Sequence, residues 1–110
     1  MAEKTIGTNI ENKEIPSELR VRFDRDRRVA DLMGELKMGG TVQFILTKNS
    51  DLWFSDMGHY GMMTKNGIQH DDVRTEGSAW VDKGILEVEY RSSVSDVERA
   101  VIRKELEALT

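Results

Sequence analysis

The chain has 110 residues, of which 38% are hydrophobic and 33% charged, enough for one modest core and too few for two domains. One proline, nine glycines without a repeat and no long apolar run exclude collagenous, low-complexity and helix-spanning membrane classes. The formal net charge of -4 argues against a polybasic membrane anchor and, less strongly, against a dedicated nucleic-acid binder.

There is no cysteine, so disulfides, thiolate metal ligands and cysteine nucleophiles are all ruled out. The opening Met-Ala-Glu-Lys has no apolar stretch behind it, so no secretory signal is expected and a reducing cytoplasm is the expected compartment. Residues 1–15 are polar with isolated Ile6, Ile10 and Ile15, a pattern that suits either an arm or an edge strand. Residues 16–110 are expected to form a single α+β domain.

Leu19, Val21 and Phe23 alternate with Glu18, Arg20, Arg22 and Asp24, the period of a half-buried strand. A helix begun at Ser17 competes with that reading, but its apolar stripe fails among the charges that separate Phe23 from Val29. From there Val29, Leu32, Met33 and Leu36 recur at helical spacing. Asp24 or Asp26 is the expected N-cap, and Gly39-Gly40 is the expected stop. Gly34 sits inside this helix at a cost of about 1 kcal/mol relative to alanine, which a close crossing over a sheet would account for.

Three hairpins are signalled next. Lys48-Asn49-Ser50 turns Thr41–Thr47 back into a strand at Leu52-Trp53-Phe54. Asn66-Gly67, between Met63 and Ile68, suits a type I′ turn. Asp82-Lys83-Gly84, between Trp80-Val81 and Ile85-Leu86, suits a three-residue loop ending in a glycine bulge. The following strand alternates Leu86, Val88 and Tyr90 with Glu87, Glu89 and Arg91, so one of its faces should be wet. Ser95 with Glu98 forms a capping box for a final helix, whose stripe is read from Val97, Ala100, Val101, Ile102, Leu106 and Leu109. The expected fold is α+β, a mainly antiparallel sheet of about five or six strands with two helices on one face, the C-terminal helix included.

No phosphate loop, dinucleotide fingerprint, paired-histidine zinc helix or nucleophile elbow occurs, so no catalytic residue is assigned and no cofactor is implied. The richest stretch is residues 53–63, where Gly58 and Gly61 bracket His59-Tyr60 and suggest a loop or bent strand. Aromatic and methionine side chains crowd it, a mixture suited to protein contact. Core filling by Trp53, Met57 and Met62 is the competing account. On a strand Trp53 and Phe54 must point to opposite faces, so one of them needs a cover other than the main core.

The leading functional expectation is a small non-enzymatic interaction module, an adaptor, inhibitor or accessory subunit, with another protein as its partner. Trp53, Phe54, His59, Tyr60 and Met62 would form the contact surface, with Arg20, Arg22, Arg25 and Arg28 as a charged rim. The same arginines define a nucleic-acid alternative through phosphate contacts, weakened by the interleaved Glu18, Asp24 and Asp26. A second alternative is a metal-dependent enzyme in which a hairpin gathers Asp56, His59, His70 and Asp72. Self-association through the wide stripe of the last helix is also an open reading, which makes a homodimer a further candidate partner state.

Overall fold

The computed structural model describes residues 19–23 and 28–110. Over these, strands β1 (Arg20–Phe23), β2 (Val42–Thr47), β3 (Asp51–Ser55), β4 (Val73–Asp82) and β5 (Ile85–Tyr90) form one sheet in the order β1-β3-β2-β4-β5. Three α-helices, α1 (Val29–Lys37), α2 (His59–Asn66) and α3 (Asp96–Glu107), and a short 3-10 turn at His70–Asp72 complete the described chain. The class is α+β. Pairing is antiparallel at β2/β3, β2/β4 and β4/β5 and parallel at β1/β3. The polar N-terminal segment and the proposed caps Asp24 and Asp26 lie outside the described residues.

Strand alternation divides the apolar residues between the two faces of the sheet. One face carries Val21, Phe44, Leu46, Leu52, Phe54, Ala79 and Leu86, and it packs against Leu32 and Leu36 of α1 and Ile102 and Leu106 of α3. This is the main core, with the two expected helices upon it. The other face carries Ile45, covered by Met62 and Met63 of α2, with Ile68, Trp53 and Val73 around them. That third helix, which the sequence reading lacked, gives the sheet a smaller second core.

Helix ends explain several local outcomes. At α1 the backbone N–H of Arg28, the N-cap, donates to Asp31 Oδ2 at 2.9 Å, so the cap is completed from within the helix. Gly39 takes φ 87°, the Gly40 N–H reaches Glu35 O at 2.8 Å and the Gly39 N–H reaches Leu36 O, closing a Schellman motif at the expected glycines. Around Gly34, however, nothing lies within 4 Å of where a Cβ would stand. Close crossing over the sheet is therefore not its reason. The buried side of α1 is also narrower than its periodicity suggests, since Val29 and Met33 are exposed.

The Asn66-Gly67 pair ends α2 instead of turning a hairpin. Gly67 adopts φ 70° and the Ile68 N–H reaches back to Met63 O at 2.9 Å, with Met63 and Ile68 packed in the same cluster. The β4/β5 hairpin does form, but Asp82 pairs with Ile85, leaving a two-residue loop. Lys83 and Gly84 both have positive φ, 53° and 81°, as a type I′ turn requires, so no bulge residue is needed. In α3 the capping box is present in both directions, Glu98 N–H to Ser95 Oγ and Ser95 N–H to Glu98 Oε1. Its buried line runs Glu98, Ile102, Leu106, while Val97 and Ala100 face outward.

Candidate functional site

The central segment begins as strand and ends as helix. At the end of β3, Ser55 Oγ accepts the Met57 N–H at 3.0 Å, the chain turns, and Gly58 caps α2. The helix then runs back over β2. Helical geometry sends His59, Met62 and Met63 toward the sheet, and the intervening Tyr60 toward solvent. Tyr60 is 77% exposed.

Trp53 and Phe54 do point to opposite faces. Phe54 enters the main core, its ring 6.1 Å from that of Phe23. Trp53 lies opposite Ile45 at the rim of the α2 cluster, half-buried, with the Arg22 guanidinium 5.8 Å from its ring centre. The contact set expected from sequence is thus corrected in part. Phe54 and Met62 are fully buried and His59 nearly so, because α2 and the main core absorb them. Tyr60 and, at the margin, Trp53 keep accessible surface.

The arginine group is divided. Arg20 Nε and Arg22 Nε both donate to Asp51 Oδ1, at 2.6 and 3.1 Å, and Arg20 Nη2 donates to Asn49 O. Burial alone would raise the pKa of Asp51, but the hydrogen bonds and charges of the two arginines outweigh it and hold the carboxyl below its usual value. Arg28 sits at the start of α1, and Arg25 lies outside the described residues.

The Asp/His set does not assemble into a metal centre. His59 Nε2 donates to the carbonyl of Gly77 at 2.7 Å, and its Nδ1 stands 3.6 Å from Glu76. Asp72 instead accepts the Gln69 N–H at 3.2 Å, at the start of the 3-10 turn. Among the described residues no group of three or more His, Cys, Asp or Glu is placed to hold a metal ion.

Next to Tyr60 the structure opens a concavity of about 230 Å³, lined by Tyr60, Met63, Thr64, Ile68, Gln69 and His70. Sequence reasoning missed Met63, Ile68 and Gln69, because it placed a hairpin where the end of α2 meets the 3-10 turn. The one available signal was Gly67, whose positive φ ends the helix and folds Ile68 and Gln69 back beside it. No family model matches the chain, and neither the curated proteins nor the solved structures supply a match. No helix among the described residues is long and apolar enough to cross a membrane.

Proposed function

We propose that this chain is a small protein-interaction module that presents the α2 side of its sheet to a partner protein. Tyr60 is the anchor, and Trp53 with Arg22 forms the flank. The carrying observation is that Tyr60 is 77% exposed at the lip of the concavity while His59, Met62 and Met63 of the same helix are buried against the sheet. A tyrosine so placed offers a large rigid contact area and a hydroxyl at low entropic cost, which is why such residues dominate binding energy at interfaces. Met63 and Ile68 supply an apolar floor, and Gln69 and His70 supply polar edges that would fix orientation. The absence of cysteine suits a reducing compartment, and the cytoplasm is the location we propose.

The nucleic-acid reading draws less support, because Arg20 and Arg22 share Asp51 and phosphate would have to compete with that carboxylate. A photo-crosslinking amino acid at position 60, introduced in cells, tests the proposal. A discrete crosslinked protein is expected from position 60 and not from exposed Lys104 on the opposite side. The same bands from both positions, or none from position 60, would overturn the reading.

A further inference from the structure

We propose that Asn66-Gly67 is a deamidation site gated by the C-terminal cap of α2: the closed cap holds the pair unreactive, and reaction after the cap opens prevents it from closing as before. The site requires no particular partner and stands apart from the Tyr60 surface.

The chain holds a single Asn-Gly pair, and its other asparagines precede Ile10, Lys13 and Ser50. Asparagine deamidates when the backbone nitrogen of the next residue attacks its side-chain amide carbon, and a glycine there leaves the approach unobstructed. At this pair the Gly67 nitrogen first gives its proton to hydroxide. A bond forms from that nitrogen to Asn66 Cγ, the Cγ–Nδ2 bond breaks, and the side-chain nitrogen departs as ammonia with a proton from water. Water then opens the five-membered imide at either carbonyl, leaving aspartate or isoaspartate at position 66. The net change is a water consumed and an ammonia released.

In the folded chain both reacting nitrogens are already engaged. Asn66 Nδ2 donates to Met62 O at 2.9 Å, which holds the side-chain amide back along the helix. The Gly67 N–H donates to Met63 O, and its φ of 70° closes the helix end. The Ile68 N–H donates to the same carbonyl at 2.9 Å, and the Ile68 side chain is buried with Met62, Met63 and Ile45. A hydrogen-bonded amide resists losing its proton, and a side chain tied to the preceding turn is not poised over the nitrogen that follows. Attack therefore waits for a local opening that releases both bonds and, with them, the end of the helix.

The same two nitrogens make the change one-way. Ammonia carries Nδ2 off, so the donor to Met62 O is lost. The imide nitrogen bears no proton, so the bond to Met63 O is absent until the ring opens. In the aspartate product a carboxylate replaces the donor and faces a carbonyl, at the helix end where the backbone dipole disfavours negative charge. Lys65 in the last turn offsets that charge but does not restore the donor. In the isoaspartate product the backbone runs through an extra carbon, which carries the Gly67 and Ile68 amides out of register with Met63 O. Either product loosens the anchorage of Ile68. The concavity beside Tyr60, which Gly67 and Ile68 help to line, changes with it.

The test incubates the full chain at mildly alkaline pH, with and without denaturing guanidinium chloride, and follows each asparagine by peptide mapping and mass spectrometry. Asn66 should deamidate at least about tenfold faster in denaturant than in the folded chain. Below the unfolding transition its rate should rise with denaturant in step with amide exchange at Gly67 and Ile68. Ile68→Ala, which removes the apolar clasp of the cap, should raise the folded-state rate by about threefold or more. The deamidated chain, separated by ion exchange, should exchange its Ile68 amide faster than the parent, and Asn66→Asp should reproduce this through charge and donor loss alone. Tyr60→Ala should leave the Asn66 rate within about twofold, so the site and the Tyr60 surface stand or fall separately. Equal rates in the folded chain and in denaturant would overturn the gating, and no reaction at Asn66 in denaturant would overturn the site. An Ile68 amide unchanged in the deamidated chain would overturn the loosening of the cap. Should Ile68→Ala fail to fold, the denaturant series on the parent chain decides the same point.

Discussion

Arg74 reaches the buried carboxylate of Glu98 because β4 slips register beside it. Leu46 pairs with Thr75 and Thr47 with Val73, leaving Arg74 as the extra residue of a bulge. Strict alternation would aim Arg74 at the α2 side; the slip frees it to turn toward the N-terminus of α3. There Glu98 also accepts the Ser95 N–H, so one carboxylate ties the bulge to the helix cap.

This junction predicts a specific pH dependence. Burial pushes the Glu98 pKa up, but the hydrogen bonds from Ser95 and Arg74 and the arginine charge outweigh it, and the net direction is down from 4.5. A carboxyl whose folded pKa is lowered contributes stability above its unfolded pKa and loses it as pH falls through the folded value. The free energy of unfolding in urea should therefore be nearly independent of this group above about pH 5 and fall below about pH 4.5. Asp51, lowered by Arg20 and Arg22, adds to the same window. Glu98→Gln should flatten part of that acid slope. Arg74→Ala should cost on the order of 1–3 kcal/mol at neutral pH by leaving the carboxylate poorly paired.

Two glycines make opposite predictions. Gly77 lies between Phe44 and Tyr90, whose rings meet edge to face at 5.6 Å, and an added Cβ would stand 2.6 Å from Phe44 Cζ and collide with the Glu89 carbonyl. Its own carbonyl accepts from His59, so any backbone shift would disturb the seat of α2 as well. Gly77→Ala should destabilise by about 2–3 kcal/mol or more, the cost of overpacking against backbone. Gly34→Ala meets open space within a helix and should stabilise by about 0.5–1 kcal/mol. Chemical denaturation of both variants checks the pair.

The elements that the sequence discloses are those whose signal is local. The alternation of Val21 and Phe23, the Ser95/Glu98 box and the Gly39-Gly40 stop each act within a few residues, and each stands in the structure. Helix α2 escaped because eight residues holding Gly61 show too little periodicity, and because Asn-Gly suits a type I′ turn and a helix C-cap equally. Alternation correctly separated Trp53 from Phe54. It gave no means of knowing that α2 would cover the Trp53 side. The pairing of Arg20 and Arg22 with Asp51, about thirty residues away in the chain, depends on the parallel β1/β3 register and leaves no local trace.

The β4/β5 turn leaves stability unused. Lys83 holds φ 53°, a left-handed conformation that a lysine adopts at some cost and an asparagine adopts readily. Lys83→Asn should raise the unfolding free energy by a few tenths to about 1 kcal/mol. The thermal midpoint should rise with it, and the far-UV spectrum should stay the same.

Within α2, adjacent positions distinguish core from surface. Met62 is fully buried against Ile45 and its neighbours, so Met62→Ala should lose about 2–5 kcal/mol through lost burial and the cavity left behind. Tyr60 projects from the same turn into solvent, and Tyr60→Ala should stay within about 0.5 kcal/mol of the parent chain. Equilibrium unfolding of the two variants measures this contrast with no knowledge of the partner. If Tyr60→Ala proved as costly as Met62→Ala, the tyrosine would be serving the fold, and its claim to be the anchor of an interface would fail on stability data alone.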